Sequence, residues 1–367
     1  MIVKSLELDF FRNYVHLEAA FDPRVNLIYG DNAQGKTNLL EAVAYLSSAR
    51  PHRARYDREL IQMGIDSAFL KGEIASRGRD FTLEARLFRG RGRQLFSNGV
   101  RLKTAGELAG ILTTVLFCPE DLYLIREGGA ARRRFLDTAI CQLRPRYAQA
   151  LTEYSRLYEH KTRILRDWQE NPSLLQTLDD FSLRMAQVGA ILIHYRAHFI
   201  RRLQEHAPAV HRDFSGGREE LSLRYETVSA IENPQVSPKE LLPRLLEHQQ
   251  AHRQAELDAR QCLSGPHKDD LLVDINGVSA KTYGSQGQTR TAALSLKLAQ
   301  REIFQEETGE WPVLLLDDVL SELDPKRQSF VLNRIQGGQV FITCCEEEKL
   351  EGLEGGRTFH IQAGQLV

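Results

Sequence analysis

The string Gly30-Asp31-Asn32-Ala33-Gln34-Gly35-Lys36-Thr37 constrains this chain more than any other feature. It has the spacing G-x-x-x-x-G-K-T. An apolar run over 25–29, with Asn26 as its one polar member, leads in. A helical pattern over 38–49, with Leu39, Val43 and Leu46 on one stripe, leads out. Each residue type has a physical reason to be there. Glycines permit the sharp turn and let backbone N–H groups converge on phosphate oxygens. Lys36 is expected to reach the β- and γ-phosphates and Thr37 to ligate Mg²⁺. The positive end of the following helix lies beneath them. A strand, a glycine loop and a helix in this order predict an α/β nucleotide-binding unit.

Such a unit needs a carboxylate at the end of a neighbouring buried strand. The apolar run 313–316 is followed by Asp317-Asp318. Asp317 is expected to hold the metal through water, and Asp318 to orient or deprotonate the attacking water. The plainer alternative is that one of the two caps the next turn. Lys36 and Asp317 lie 281 positions apart. Simple kinases and small GTPases keep these elements much closer, so the spacing points to a head split by an insertion.

The rest of the chain agrees with a split. Strand patterns at 2–10 and in short runs between 65 and 103, with Ser97-Asn98-Gly99 as a hairpin turn, make the front strand-rich. From Tyr147 the period changes. Tyr147, Leu151, Tyr154, Tyr158, Lys161, Leu165 and Trp168 form one seam. Leu174, Leu178, Phe181, Met185, Val188, Leu192, Tyr195, Phe199 and Leu203 form a second, interrupted from the first at Asn171-Pro172 and stopping before Pro208. Two matched seams predict an antiparallel helix hairpin, and a third helix is expected over 238–261. These stripes are read as packing. The last hundred residues return to mixed α/β, with strands at 271–275, 313–316 and 340–343 and helices over 289–303 and 326–335. The expected division is 1–125 for the first part of the head, 126–260 for the helical insertion, and 261–367 for the rest of the head.

Composition sets limits. The chain has 367 residues, 42% of them hydrophobic, and a formal net charge of −1. That is enough apolar material for a sizeable core, and it excludes a uniformly basic nucleic-acid coat protein. Five cysteines without a C-x-x-C pair are poor material for disulfides or zinc. No apolar run is long enough to span a membrane, so a cytoplasmic protein is expected. The charge is nevertheless uneven. Residues 50–103 hold thirteen Lys/Arg against six Asp/Glu, 126–166 hold ten against four, and 302–358 hold five against thirteen. A polyanion-binding face can hide within a neutral total.

Two further strings set the subclass. Ser285-Gln286-Gly287-Gln288 directly precedes a helix, and Ser321-Glu322-Leu323-Asp324 follows the acidic strand. A hydroxyl, a glycine and free N–H groups at a helix start make a second anion site. It has no lysine, which suits a site that complements a phosphate held by another copy. The set of P-loop, S-x-G-Q, Asp-Asp and S-E-L-D resembles the heads of ABC-type ATPases of the SMC/Rad50 group. The resemblance is closest to the RecF family, bacterial mediators of recombinational gap repair. It is carried by Phe10-Phe11-Arg12-Asn13-Tyr14, Pro119-Glu120-Asp121-Leu122, Arg132-Arg133-Arg134-Phe135-Leu136-Asp137, Gly265-Pro266-His267-Lys268-Asp269-Asp270, Tyr283 through Gln288 and Leu314 through Asp324. These occur in the family's order and span essentially the whole chain. Departures are Glu127 and Gly129 where glycine and proline are usual, and Lys268 in place of arginine. Thr343-Cys344-Cys345 replaces a run of threonines, which leaves Thr343 as the one hydroxyl there to sense the terminal phosphate.

The resemblance implies an ABC-type P-loop ATPase head, lobe I, with a mainly helical inserted lobe II that contains an antiparallel helix hairpin. It implies ATP and Mg²⁺ as ligands and an ATP-dependent homodimer. In that dimer Ser285, Gly287, Gln288 and Asp324 help to enclose ATP held by the P-loop, and each signature serine touches the partner's γ-phosphate. It places Arg12 and Asn13 beside the nucleotide and Arg53 near the adenine. It implies slow, DNA-stimulated hydrolysis that resets the dimer, a role in replication, gap repair and SOS induction, and RecO and RecR as partners. Arg132, Arg133, Arg134 and the 50–103 cluster are then expected to line a DNA phosphate surface when two heads close, with ordinary salt bridges as the alternative for each. No aromatic stacking box is visible, so duplex or a single-strand/duplex gap junction is the expected target.

Three other functions compete. A transport ATPase subunit predicts a fuller L-S-G-G-Q, a histidine after the last strand and a glutamate after the acidic strand, and the chain has none of these. A mechanical tether needs coiled coils of hundreds of residues, far longer than this hairpin. A small-molecule kinase would show phosphate release stimulated by a metabolite and not by DNA.

Overall fold

The structure is a computed structural model that describes residues 1–335, 337–345 and 356–367. The chain forms two compact units: Met1–Tyr123 with Leu296–Val367, and Leu124–Ser295.

The first unit contains two sheets. One has the order Gln365–Leu366, Arg357–Gln362, Val25–Tyr29, Val340–Cys344, Val313–Asp317, Thr114–Phe117, and is parallel except at its Gln365–Leu366 edge. Val313–Asp317 is buried at every residue, which is why it reads as an unbroken apolar run. Its register sets Asp317 beside Thr343, while Thr343 lies beside Ile28. The strand ends that carry polar chemistry therefore converge where the helix Lys36–Ser48 begins. The second sheet is antiparallel, in the order Tyr14–Ala20, Ile2–Phe11, Ser67–Ser76, Arg79–Phe88, Gln94–Ser97, Val100–Arg101. Val3, Leu6, Leu8, Leu70 and Ile74 of this sheet join Leu39, Leu40 and Val43 of the helix in one core. A Cβ at Gly72 would lie 2.8 Å from a Leu46 methyl, so a bare backbone is what lets the sheet close onto the helix there. The wholly buried Gln339 side chain accepts from Val3 N and donates to the Val3 and Asp22 carbonyls, joining the two sheets at 2.7–2.8 Å.

The second unit holds the helices Gly129–Leu143, Pro145–Asp167, Leu175–Ser215 and Pro238–Ala259, a small sheet, and the start of the helix Gln286–Thr308. Tyr147 faces Tyr195 and His160 faces Phe181, so the two long helices form the antiparallel hairpin expected from their seams. The charged seam residue Lys161 is buried and paired at 2.6 Å with the equally buried Glu256 of Pro238–Ala259.

Two expectations are corrected. The helix expected to stop before Pro208 continues to Ser215, because Val210, His211 and Phe214 are buried beyond the proline and packing outweighs one lost N–H. The units divide at 295/296 and not at 260/261. Asp270–Ile275 pairs with Leu221–Glu226, a strand the sequence reading did not contain, and this pairing holds the segment after 260 in the inserted unit.

Candidate functional site

The loop Gly30–Thr37 follows its strand as a left-handed turn. Gly30 and Gly35 have φ of 147° and 119°, which only glycine adopts freely. Space excludes side chains as well. A Cβ at Gly30 would lie 2.3 Å from the Ile361 carbonyl oxygen, and one at Gly35 would lie 2.6 Å from the Asn13 amide. Asn13 is therefore packed against the loop. It donates to the Gln34 carbonyl at 2.8 Å and accepts from Asn38, while Tyr14 donates its hydroxyl to the Gly35 carbonyl. Gln34 is pinned in turn by the Ala363 and Gly364 amides. Asp31, Asn32 and Ala33 form the exposed crest, and Asn32 accepts from the Cys345 thiol at 3.2 Å.

Lys36 is buried and donates to the Gly30 and Asp31 carbonyls at 2.5 and 2.9 Å. Thr37 Oγ donates to Asp317 Oδ1 at 2.8 Å, and Thr343 Oγ donates to the same oxygen at 3.0 Å. The other Asp317 oxygen accepts from Arg53 Nη2 at 3.1 Å. Burial raises the Asp317 pKa above the ordinary carboxylate value, and Thr37, Arg53 and Thr343 pull it back. Asp318 carries its carboxylate on a left-handed residue, φ 52°. Its amide donates to Thr343 Oγ, and its carbonyl and carboxylate both accept from Ser321. Thr37 and Asp317, 280 apart in the chain, thus meet within one hydrogen bond. Arg53 lies against the Asp317 carboxylate and Glu120, whereas the sequence reading put it near the adenine.

Arg12 and Glu41 form a second cluster. The guanidinium binds the buried Glu41 carboxylate at 2.9 and 3.2 Å, and Glu41 also accepts from the Arg53 amide at 3.1 Å. Glu41 lies on the helix that begins with Lys36 and Thr37. The sequence reading passed over it, although an acid on the inward stripe of an apolar helix is itself a signal of a buried partner.

Ser285 lies in the inserted unit and is exposed. Its hydroxyl accepts from the Gln288 amide at 3.2 Å, while the Gln288 side chain accepts from the Ser285 amide at 2.8 Å. Serine and glutamine of S-x-G-Q are thus a capping box that starts Gln286–Thr308. Gln288 also donates to Glu219, and Gly287 lies in the first turn. Asp324 is the N-cap of Pro325–Arg334, accepting from the Arg327 amide and pairing with its guanidinium.

The arginine triplet requires correction. Arg132 is buried, holds Asp270 with two bonds of 2.7–2.8 Å, and donates to the Leu124, Ile125 and Glu127 carbonyls. Buried in this way, it is not placed to meet a phosphate from solvent. Arg133 donates to the Asp269 carbonyl at 2.6 Å. Of the three, Arg134 alone is exposed. The string Gly265 through Asp270 proves to be a brace within the same unit. Pro266 accepts from Arg196, Asp269 accepts from Tyr225 and the Val228 amide, and Asp270 holds Arg132. His267 Nε2 faces the Cys262 carbonyl, which can only accept, so Nε2 carries the proton and Nδ1 accepts from Tyr154 at 2.8 Å.

With this geometry in view, the comparisons with known proteins are specific. The family described as RecF/RecN/SMC N terminal domain matches residues 2–363. The chain is 39% identical over 369 residues to the DNA replication and repair protein RecF of Agathobacter rectalis, covering 100% of this chain and 99% of the relative. It is 40% identical over 372 residues to that of Bacillus mycoides, covering 100% and 98%.

The chain belongs to the RecF family.

A solved structure of the recombination mediator protein RecF with ATP in the RecFOR pathway superposes with a TM-score of 0.90 at 33% identity, covering 100% of this chain and 97% of that one. An Smc head domain from Pyrococcus furiosus superposes at 0.54 with 15% identity, covering 100% and 96%, a likeness of fold alone. The fold is the ABC-type ATPase head with its inserted lobe, and the family binds ATP. Among the described residues no helix is long and apolar enough to cross a membrane.

Proposed function

We propose that this chain is an ATP-switched DNA-binding protein of recombinational gap repair and SOS induction, closed into a homodimer by ATP and reset by slow hydrolysis. The observation that carries this reading is the junction of Thr37, Thr343 and Arg53 on the buried Asp317, beside Lys36 at the mouth of a glycine turn. Lys36 exchanges two loop carbonyls for β- and γ-phosphate oxygens, and the amides of 31–37 with the helix end complete the cradle. Thr37 and Asp317 offer the hydroxyl and single carboxylate that suit Mg²⁺, which takes its remaining ligands from phosphate and water. Bound there, the ion would neutralise charge on the β- and γ-phosphates. Asp318, held by Ser321 and Thr343, orients the attacking water. Thr343 lies between the two aspartates as the sensor of the terminal phosphate.

Ser285 keeps its hydroxyl hydrogen after capping its helix, and it faces solvent. In the dimer it donates to the γ-phosphate held by the partner copy, with the Gly287 and Gln288 amides behind it, and Asp324 borders the same interface. Solved relatives carry ATP in the RecFOR pathway, which supports RecO and RecR as partners. DNA-stimulated, weak ATPase activity and a preference for duplex or gap junctions belong to this reading.

Light scattering with and without ATP and gapped duplex tests it. The parent dimerises with ATP. Lys36→Ala neither binds ATP nor dimerises, and Ser285→Arg binds ATP normally but stays monomeric. A Ser285→Arg chain that dimerises like the parent would remove the sandwich mechanism.

A further inference from the structure

The segment 53–62 is fastened from behind at unusually many points. The Arg53 amide donates to Glu41, and Arg12 donates its own amide to the Leu60 carbonyl and its guanidinium to the Glu59 carbonyl. Gln62 donates to the Phe10 carbonyl at 2.8 Å. Asp57 is held by the guanidinium of Arg93 at 2.8 Å, and the Glu59 carboxylate turns back to the Arg55 amide at 3.1 Å. Asp57 is thereby tied to Arg93, while Glu59, itself exposed, is engaged by the Arg55 amide.

Arg55, Tyr56 and Arg58 are all exposed. The Tyr56 ring, 44% exposed, has the Arg55 guanidinium 5.2 Å and the Arg58 guanidinium 4.7 Å from its centroid. Neither guanidinium pairs with a carboxylate or donates a hydrogen bond to any described residue. Two cations gathered on one ring lie within about one Debye length of each other at physiological salt. Each raises the local potential felt by the other, an arrangement that favours a polyanion over a single carboxylate. The ring limits the rotamers of both side chains, which lowers the entropy lost when they engage a ligand. Guanidinium forks match phosphate oxygens in pairs.

We propose that Arg55 and Arg58, splayed by Tyr56, form a clamp for the phosphodiester backbone of DNA. This rests on the DNA-binding reading above and assigns a site to it that the buried Arg132 does not fill. The segment is bonded through Glu41 to the helix that starts at Lys36 and Thr37. The clamp and the nucleotide loop therefore belong to one hydrogen-bonded piece of the head.

The test is fluorescence anisotropy of labelled gapped duplex with the full chain, Mg²⁺ and ATP, over a salt series. Arg55→Ala and Arg58→Ala should each weaken binding about five- to tenfold and lower the slope of log affinity against log salt by about one. Tyr56→Phe should bind like the parent. Tyr56→Ala should weaken binding about two- to fivefold with the slope unchanged. All four should bind a fluorescent ATP analogue like the parent, which excludes a damaged nucleotide loop. An Arg55→Ala/Arg58→Ala chain with the parent's affinity and slope would overturn the clamp alone. The same double variant, intact on DNA but unable to hold an acidic peptide, would reassign the surface to a protein. A parent that binds no DNA under any condition would refute the function and the clamp with it.

Discussion

Acidification should weaken the inserted unit through one histidine. His267 is buried against Cys262 and Tyr154, and burial, with a further push from Lys268 and Arg133, lowers its pKa from 6.5 to about 4. The folded protein keeps this ring neutral while the unfolded chain protonates it below 6.5, so protons favour unfolding. Stability is complete above pH 6.5 and is lost as pH falls to about 4, with no further loss below. Each pH unit in that window is worth about 1.4 kcal/mol, so His267 alone removes about 3 kcal/mol. Asp269 opposes the loss, because burial raises its pKa, and His198, His211 and His248 reinforce it, because burial lowers theirs. All four stay constant in a comparison with His267→Gln, whose amide can still donate to Cys262 and accept from Tyr154. Urea unfolding followed by Trp168 fluorescence, in a Trp311→Phe background, reads this unit. The parent should lose about 3 kcal/mol more than His267→Gln between pH 6.5 and 4. Equal losses in the two chains would refute the linkage.

Two further outcomes follow from buried ion pairs. Arg132→Ala should destabilise the inserted unit by about 3–5 kcal/mol, because it strands Asp270 and three carbonyls. Its DNA affinity, measured below the new melting temperature, should match the parent's. Glu41→Ala should raise KM for ATP about tenfold or more with kcat little changed, since it releases Arg12 and the Arg53 amide together. Glu41→Gln should recover part of the loss, and equal KM values in all three would exclude a positioning role.

Much of the head was legible because its signals are local. The glycine turn needs Gly30 and Gly35 for φ and for space, and the run before Asp317 is apolar because every residue of it is buried. What escaped the sequence reading depended on partners distant in the chain. Leu221–Glu226 is a strand because Asp270–Ile275 covers its edge. Arg132 looked like a surface arginine because nothing near it in sequence announces Asp270, 138 residues away. The adenine expectation for Arg53 came from resemblance, while its contact with Asp317 arises only from the folded path of the segment after Ser48. Glu41 was readable in principle, as an acid on an otherwise apolar stripe.

The left-handed backbone at residue 318 bears on how such heads are compared by mutagenesis. A short acid hydrogen-bonds locally and tolerates φ of 52°, whereas a longer side chain with the same charge fits that conformation less well. Exchanging Asp318 for glutamate, to imitate a transporter, would alter main-chain preference as well as reach. Any change in turnover from that swap would mix two causes, and separating them requires Asp318→Asn, which keeps the shape and discards the charge.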